Sequence, residues 1–431
     1  MRILIITTQY HPAANPNVFR WAAIAAYWAG AGHEVHLLCA EHSQRPREET
    51  IQGVQVHRAG QATLMDWAYN LMKIKRRRSE PGAGAGRAGW GRSALEMLLN
   101  LTWRKLYWPD GSCLWLLPAR RRALQLLQQN EFDALISVGT PFTCHLVAKA
   151  CKKQFPNTTW LMDIEDPFSI AEEFPNNNFA LYRHLNHRSE KAAIHCADAI
   201  ALTNPAVRRR YAAVFPESIG KMQVIPPLYD PPVPSDYSLP PRRSGEIRLG
   251  YFGSFYHKIR TPERFLELLE AAFRQSEALR ERLRVHFFGY IEPEFIAMFD
   301  RFRSLSSNIQ LHGLLRREDA AAAVQQLDAL LHIGNTTDYH LPSKSPEYLF
   351  SGKPIVNIVA CASDTFKEFA GERSALLHIQ PETDLSVAAG QLRDFLLDPP
   401  VCKQTSDEEM ERWGVRTVAG KCEALISGQR K

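Results

Sequence analysis

The chain has 431 residues, 45% of them apolar and 23% charged. That balance gives two or three domains enough material for real cores, and it excludes wholesale disorder and collagen-like or mucin-like repeats. Eight cysteines, with no CxxC pair and none at zinc-finger spacing from a histidine, argue against a disulfide scaffold or structural zinc and for a reducing cytosol. The net charge of +6 is unevenly spread: residues 66–125 hold twelve Lys/Arg against four Asp/Glu. A nearly neutral body with one basic segment argues against nucleic-acid binding and for a localised anionic partner.

In chain order, Arg2–Gln9 reads as a buried strand, followed by the loop YHPAANPN and a helix over Val18–Ala31. Gly32 ends that helix and Glu34–Cys39 is a second strand, which completes a βαβ unit. The opening apolar run is too short for a signal segment, and no run of ~18 uncharged apolar residues suggests a membrane span. Strands are predicted at Gly53–Arg58, Ala134–Val138, Trp160–Asp163, Ala197–Leu202 and Lys221–Ile225, with helices at Leu117–Asn130, Phe142–Gln154 and Pro205–Phe215. Residues 226–246 contain seven prolines and read as a linker. A second series places strands at Arg248–Phe252, Arg284–Phe288, Ile309–His312, Ala329–Ile333 and Ile355–Val359. Its helices are predicted over Pro262–Ser276, Pro293–Leu305, Arg317–Leu327 and Ser345–Ser351.

The resulting expectation is an α/β protein of two doubly wound, parallel-sheet domains facing a central cleft. The N-terminal domain spans 1–225, with a basic, aromatic insertion at 60–118. The linker is 226–246, the C-terminal domain 247–403, and a helical tail over 404–431 is expected to pack back toward the N-terminal domain.

The most specific stretch is LPSKSPEYLFSGKPIV, Leu341–Val356. Pro346 opens a short helix and Gly352 with Pro354 closes it. Lys344 beside the helix start suits an anion such as phosphate, and Glu347 suits ribose hydroxyls; a plain i,i+3 surface pair is the alternative. Gly253 and the loop through Lys258 to Arg260 follow the first strand of the second series, where backbone can approach a ligand and cations can meet a diphosphate. In MDIEDP, Asp163, Glu165 and Asp166 form an acidic strand end, where active-site carboxylates belong; a turn cap and a divalent-ion site are the other readings. His145 follows the loop after ISVG and reads either as structural or as a site residue. Arg20 opens the first helix, either toward an acceptor or phosphate or as a surface arginine.

These blocks together resemble bacterial family 4 glycosyltransferases of the two-Rossmann GT-B fold. The Leu341–Val356 block is similar to their P-S-K-x-x-E-Y signature, and YHP with Arg20 and GHEVHLL to their N-terminal loop and second strand. WPDGSCLWLLPARRRALQLL and ISVGTPFTCHLVAKACKKQFPNTTWLMDIEDPF resemble a run found in the branch that builds capsule, exopolysaccharide and O-antigen. YFGSFYHKIRTPERFLELL resembles the family's strand, Gly, loop, cation and helix element. The resemblance implies a retaining, metal-independent transferase with no cofactor beyond a nucleotide-diphosphate sugar. Lys258, Arg260 and Lys344 would hold the diphosphate, Gly253, Ser254 and Ser343 would line it, and Glu347 would hold the ribose. Position 339, where the family has a first glutamate, is Tyr339, a further donor-side candidate; Thr336, Thr337 and His340 are candidates for the sugar. Asp166 would lie at the reacting sugar or acceptor, with Arg20, Asp163 and His145 on the acceptor side.

The partners expected are a nucleotide-sugar donor and a glycan or polyprenyl-lipid-linked acceptor. The aromatics Trp67, Tyr69, Trp90, Trp103, Tyr107, Trp108 and Trp115 within 66–125 suit an anionic membrane surface, hence a cytoplasmic protein at the inner face of the membrane; a hairpin with core tryptophans is the other reading. Rival functions are a nucleotide-sugar epimerase or hydrolase on the same fold and a non-catalytic glycan binder. A nicotinamide enzyme is disfavoured because the loop after the first strand has no GxGxxG.

Overall fold

A computed structural model describes residues 1–64, 103–372, 375–402 and 405–429. The chain forms two compact units, passing from the first to the second between Leu228 and Tyr229 and returning to the first between Met410 and Glu411.

The first unit is built on β1 (Arg2–Ile6), β2 (Glu34–Cys39), β3 (Glu48–Ile51), β4 (Val54–Arg58), β5 (Ala134–Val138), β6 (Thr159–Ile164), β7 (Ala199–Leu202) and β8 (Met222–Val224). Their order is β3-β4-β2-β1-β5-β6-β7-β8, with every pairing parallel except β3 on β4. The runs ALISV, TWLMDI and AIAL are buried throughout, as strands covered by helices on both faces must be. Asn15 caps the helix Pro16–Gly30 by accepting from the Val18 N–H at 3.0 Å, and Pro16 fits its first turn. That helix sends Trp21, Ile24, Ala25 and Trp28 into the core, where Val418, Ala419, Cys422 and Ile426 of the helix Val415–Gly428 join them. The antiparallel edge strand β3 and the helix Phe179–Cys196 are additions to the elements expected from the sequence.

The second unit holds β9 (Ile247–Phe252), β10 (Leu283–Phe288), β11 (Ile309–Gly313), β12 (Ala329–Ile333), β13 (Ile355–Ile358) and β14 (Leu376–Ile379). They are parallel, in the order β11-β10-β9-β12-β13-β14. The helices Glu263–Gln275 and Leu385–Leu397 pack on one face, where Phe265, Leu269, Leu392 and Leu396 lie in the core with Val285 and Phe287 of β10. The proline-rich stretch is tied down on this unit rather than loose. Leu239 N–H donates to Gln326 Oε1 (2.9 Å), Gln326 Nε2 to the Tyr237 carbonyl (2.9 Å), and Arg242 to Asp328 (3.0 Å).

Winding reverses between β1 and β5 in one sheet and between β9 and β12 in the other. Loops at the carboxyl ends of such strand pairs flank a crevice, which is where ligands enter open parallel sheets.

Candidate active site

In the second unit, the loops that leave β9 and β12 are joined. Tyr256 and Arg260 exchange backbone hydrogen bonds at 2.8 Å each, closing the loop after Gly253 into a tight hairpin. Thr336 N–H donates to the Ile259 carbonyl (2.8 Å) and Thr336 Oγ1 to the Lys258 carbonyl (2.8 Å), which locks that hairpin to the loop after β12. Arg260 donates through Nε and Nη2 to Asn335 Oδ1 at 3.0 and 2.7 Å, and Asn335 Nδ2 donates to the His340 carbonyl at 3.0 Å. The guanidinium plane is thereby fixed on a loop, a geometry suited to bidentate contact with phosphate oxygens. A Cβ at Gly253 would come within 3.0 Å of the Tyr251 hydroxyl and 3.6 Å of Arg260 Nη1, so the missing side chain keeps this ground open. Gly289 supports the turn from beneath: its φ is +140°, and a Cβ there would lie 2.1 Å from the Gly253 carbonyl oxygen. The Ser254 carbonyl accepts from the Tyr251 hydroxyl at 3.2 Å. Lys258 is exposed, and its ammonium has no hydrogen-bond or ion-pair partner among the described residues.

The helix Ser345–Phe350 stands beside this rim because Tyr348 Oη accepts from the Phe252 N–H at the end of β9 (2.7 Å). Lys344 Nζ is 3.7 Å from Glu347 Oε1, and both side chains are partly exposed. The i,i+3 pair is therefore formed, yet Glu347 Oε2 is buried and accepts no hydrogen bond. A buried carboxylate oxygen without a donor is costly. Ser343 is exposed just before the helix.

Tyr339 requires a correction. Its side chain is 1% exposed and packs against the His340 ring at 4.2 Å, so it serves the loop's interior and offers a ligand no surface. Thr337 Oγ1 lies 3.1 Å from His340 Nδ1, so Thr336, Thr337 and His340 all contribute hydrogen bonds to the loop's own shape.

In the first unit, Arg20 and Asp163 are also corrected. Arg20 is buried and holds Asp163 and Glu165 at 3.5 Å each, while its Nη2 donates to the Ile225 carbonyl at 3.4 Å. Trp21 Nε1 donates to Asp163 Oδ2 at 2.9 Å. These side chains form an internal ion cluster, and neither Arg20 nor Asp163 presents a surface to an acceptor. Burial raises the carboxyl pKa of Asp163 and of Glu165, the latter further because Asp163 lies beside it. Burial opposes charge on Arg20 as well, but the two carboxyl groups outweigh it and hold the guanidinium protonated.

Asp166 and His145 share a concave pocket with Thr140, Phe142, Phe168 and Asn176, and Thr140 Oγ1 donates to Asp166 Oδ2 at 3.3 Å. Ser137 Oγ accepts from Trp160 Nε1 (2.9 Å) and lies 2.7 Å from His145 Nδ1. That hydroxyl can donate to Nδ1 or accept from it, so the Ser137 bond fixes the ring's orientation. Burial lowers the His145 pKa to about 3, so the ring is neutral. Asp110 sets the position of its helix: the carboxylate accepts from Thr143 N and Thr143 Oγ1, each at 2.8 Å. The Asp of WPDGSC therefore acts by orienting the His145 helix.

Sequence reasoning gave Asn335 no role, although it sits inside GNTTDYH, and treated Glu165 only as one member of an acidic cluster. In the basic segment, Trp115 is fully buried with Nε1 donating to the Ala59 carbonyl (2.7 Å), and Trp108 Nε1 donates to Asn186 (3.0 Å). Trp115 is therefore an internal anchor, while Trp108 is half-buried and held by its Asn186 bond. Trp67, Tyr69 and Trp90, with the Lys/Arg run at 73–78 and the Gly/Ala-rich stretch 81–92, lie outside the described residues. Among the described residues no helix is long and apolar enough to cross a membrane.

No protein-family model matches the chain, and no curated protein sequence matches it. Solved structures do. Sucrose-phosphate synthase from Thermosynechococcus elongatus is 15% identical with a TM-score of 0.63, over 99% of this chain and 98% of that one. Anabaena HepE, solved with UDP and glucose, is 13% identical with a TM-score of 0.58, over 99% and 100%. The lipopolysaccharide outer core galactosyltransferase WaaB is 13% identical with a TM-score of 0.58, over the full length of both chains. At that distance the likeness is one of fold, and with two parallel-sheet α/β units carrying their loops at the strand switch points, the chain has the GT-B fold of these proteins.

Proposed function

We propose that the chain is a hexosyltransferase-type glycosyltransferase that moves a sugar from a nucleotide-diphosphate donor to a glycan or polyprenyl-linked acceptor in bacterial surface polysaccharide synthesis. The observation that carries this reading is the rim at β9 and β12. An unpaired Lys258, a fixed Arg260, Lys344 and the orphan oxygen of Glu347 belong to neighbouring segments there. Glu347 Oε2 would accept from a ribose hydroxyl, and the three cations would neutralise the diphosphate. The presence of UDP in the HepE complex, on the same fold, supports a nucleotide as the occupant.

The reaction breaks the anomeric C–O bond to the diphosphate and forms one to an acceptor hydroxyl, whose proton passes to the leaving phosphate. Positive charge at Lys258, Arg260 and Lys344 stabilises the oxygen that departs, without a metal being required. Retention of configuration follows from same-face delivery. Asp166 and His145 would orient the reacting sugar or the acceptor at their pocket. The basic segment 66–125 would hold the enzyme at the cytoplasmic face of an anionic membrane, near a lipid-linked acceptor.

A thermal-shift panel of uridine, guanosine and deoxythymidine diphosphate sugars identifies the donor, because a ligand bound to the native state raises its stability by mass action. Lys258→Ala should then weaken donor binding, and Asp166→Ala should lower turnover with less effect on it. Wild-type donor affinity in both Lys258→Ala and Glu347→Ala overturns the donor-site assignment.

A further inference from the structure

A second pocket in the C-terminal unit lies toward the amino-terminal ends of β9 and β10, away from the rim that carries Lys258. It measures about 470 Å³ with its open mouth included. Pro240 and Pro241 of the strapped proline-rich segment form part of its wall, and Arg243, Arg248, Arg284, His286 and Gln310 line it.

The lining is cationic and rich in unused donors. Arg248 is spent on the wall: its Nε donates to Glu246 Oε1 (2.6 Å) and its Nη2 to the Pro240 carbonyl (2.7 Å). That pairing also neutralises Glu246, the pocket's one carboxylate. Arg284 donates only through Nη1, to the carbonyls of Glu281 (3.0 Å) and Leu283 (2.7 Å); its charge is felt by Glu246, but it makes no close ion pair among the described residues. The Arg243 guanidinium and the Gln310 side-chain amide have no partners there either. His286 is 1% exposed, with Nδ1 2.9 Å from His312 Nε2, while its own Nε2 is buried and unpartnered. Burial lowers the His286 pKa to about 4, so the ring is a neutral hydrogen-bond partner. If His312 Nε2–H donates to His286 Nδ1, His286 Nε2 carries the ring's proton, and a nearby anion favours that tautomer.

We propose that this pocket binds a phosphate group, as inorganic phosphate or a small phosphomonoester, at a site separate from the proposed donor rim. Two guanidinium groups that make no close ion pair, a neutral amide and an imidazole match the charge and donor needs of a tetrahedral dianion. The roof comes from the segment by which the chain enters this unit, so an occupant ties that segment to the sheet.

The test is calorimetric titration of the full chain with inorganic phosphate and with glycerol 3-phosphate, using wild type, Arg243→Gln/Arg284→Gln and Lys344→Gln. Loss of two charge-assisted contacts should weaken binding by about tenfold or more in the double variant. Lys344→Gln should leave this binding unchanged, and thermal melts should show both variants folded, since the arginines replaced are exposed or half-buried. Tighter binding of glycerol 3-phosphate supports the proposal and identifies an esterified ligand; equal affinity supports it and identifies free phosphate. No binding in the millimolar range, equal affinity in wild type and double variant, or loss confined to Lys344→Gln overturns it. Failure here leaves the donor-site reading standing, because that reading is tested by nucleotide binding.

Discussion

Replacing Glu347 separates a ligand-binding role from a structural one. In the unliganded protein Glu347 Oε2 is buried without a donor, and Oε1 makes only a 3.7 Å contact with a partly exposed Lys344. An exposed pair of that kind contributes at most about 1 kcal/mol. A buried oxygen without a partner costs about 1–3 kcal/mol. Glu347→Gln and Glu347→Ala should therefore leave the unliganded stability unchanged or raise it by up to about 3 kcal/mol. Hydrogen bonds to a charged acceptor are worth about 1.5–3 kcal/mol, so the same variants should bind UDP about 10- to 150-fold more weakly. Paired urea unfolding and UDP calorimetry measure both quantities. A drop in stability together with unchanged UDP affinity would refute the reasoning and return Glu347 to a merely structural pair.

Arg20→Leu should cost about 3–5 kcal/mol at pH 7, because Asp163 and Glu165 lose their shared counter-charge. The loss should shrink at pH 5 as the carboxyls take up protons, and a change below 1 kcal/mol at pH 7 in urea unfolding contradicts the cluster. His145 has a folded pKa of about 3, below its unfolded value of roughly 6.5. The unfolded chain therefore takes up that proton first, so the stabilisation is complete above pH 6.5 and declines toward pH 3. His145→Gln should flatten the stability–pH slope in that window by about 1.4 kcal/mol per pH unit, which unfolding at stepped pH reads directly. Gly289→Ala forces a Cβ to within 2.1 Å of the Gly253 carbonyl oxygen, at a φ of +140°. It should destabilise the protein by ~3 kcal/mol and weaken UDP binding by displacing the Lys258 hairpin, and wild-type values for both dismiss the contact.

Strands such as ALISV and AIAL were legible because a run buried on both faces needs no alternation to stand out. The helix Phe179–Cys196 was not, because two of its four fully buried residues are Asn186 and Glu190. Its inward face is held partly by polar bonds: Glu190 accepts from Tyr211 (2.6 Å) and from Ser169 N (2.9 Å). β3 hid for the opposite reason, as a four-residue edge strand with no fully buried residue. At the site, Lys344 and Glu347 could be read from a proline-started turn. The fate of Arg20 could not, since only tertiary folding brings it to carboxyls more than 140 residues away. Asn335 escaped for a similar reason: an amide that aims a guanidinium 75 residues distant leaves no local pattern.

The place of Cys422 and Ile426 beneath the first helix has a consequence for biosynthesis. The N-terminal unit includes a helix made after the whole C-terminal unit, so its hydrophobic interior stays open on the ribosome until Val415–Gly428 emerges. The C-terminal unit draws on Tyr229–Met410 and can consolidate earlier. Nascent chains halted before Val415–Gly428 would expose the indoles of Trp21 and Trp28 to chaperones, even though every strand of the first sheet had already been translated.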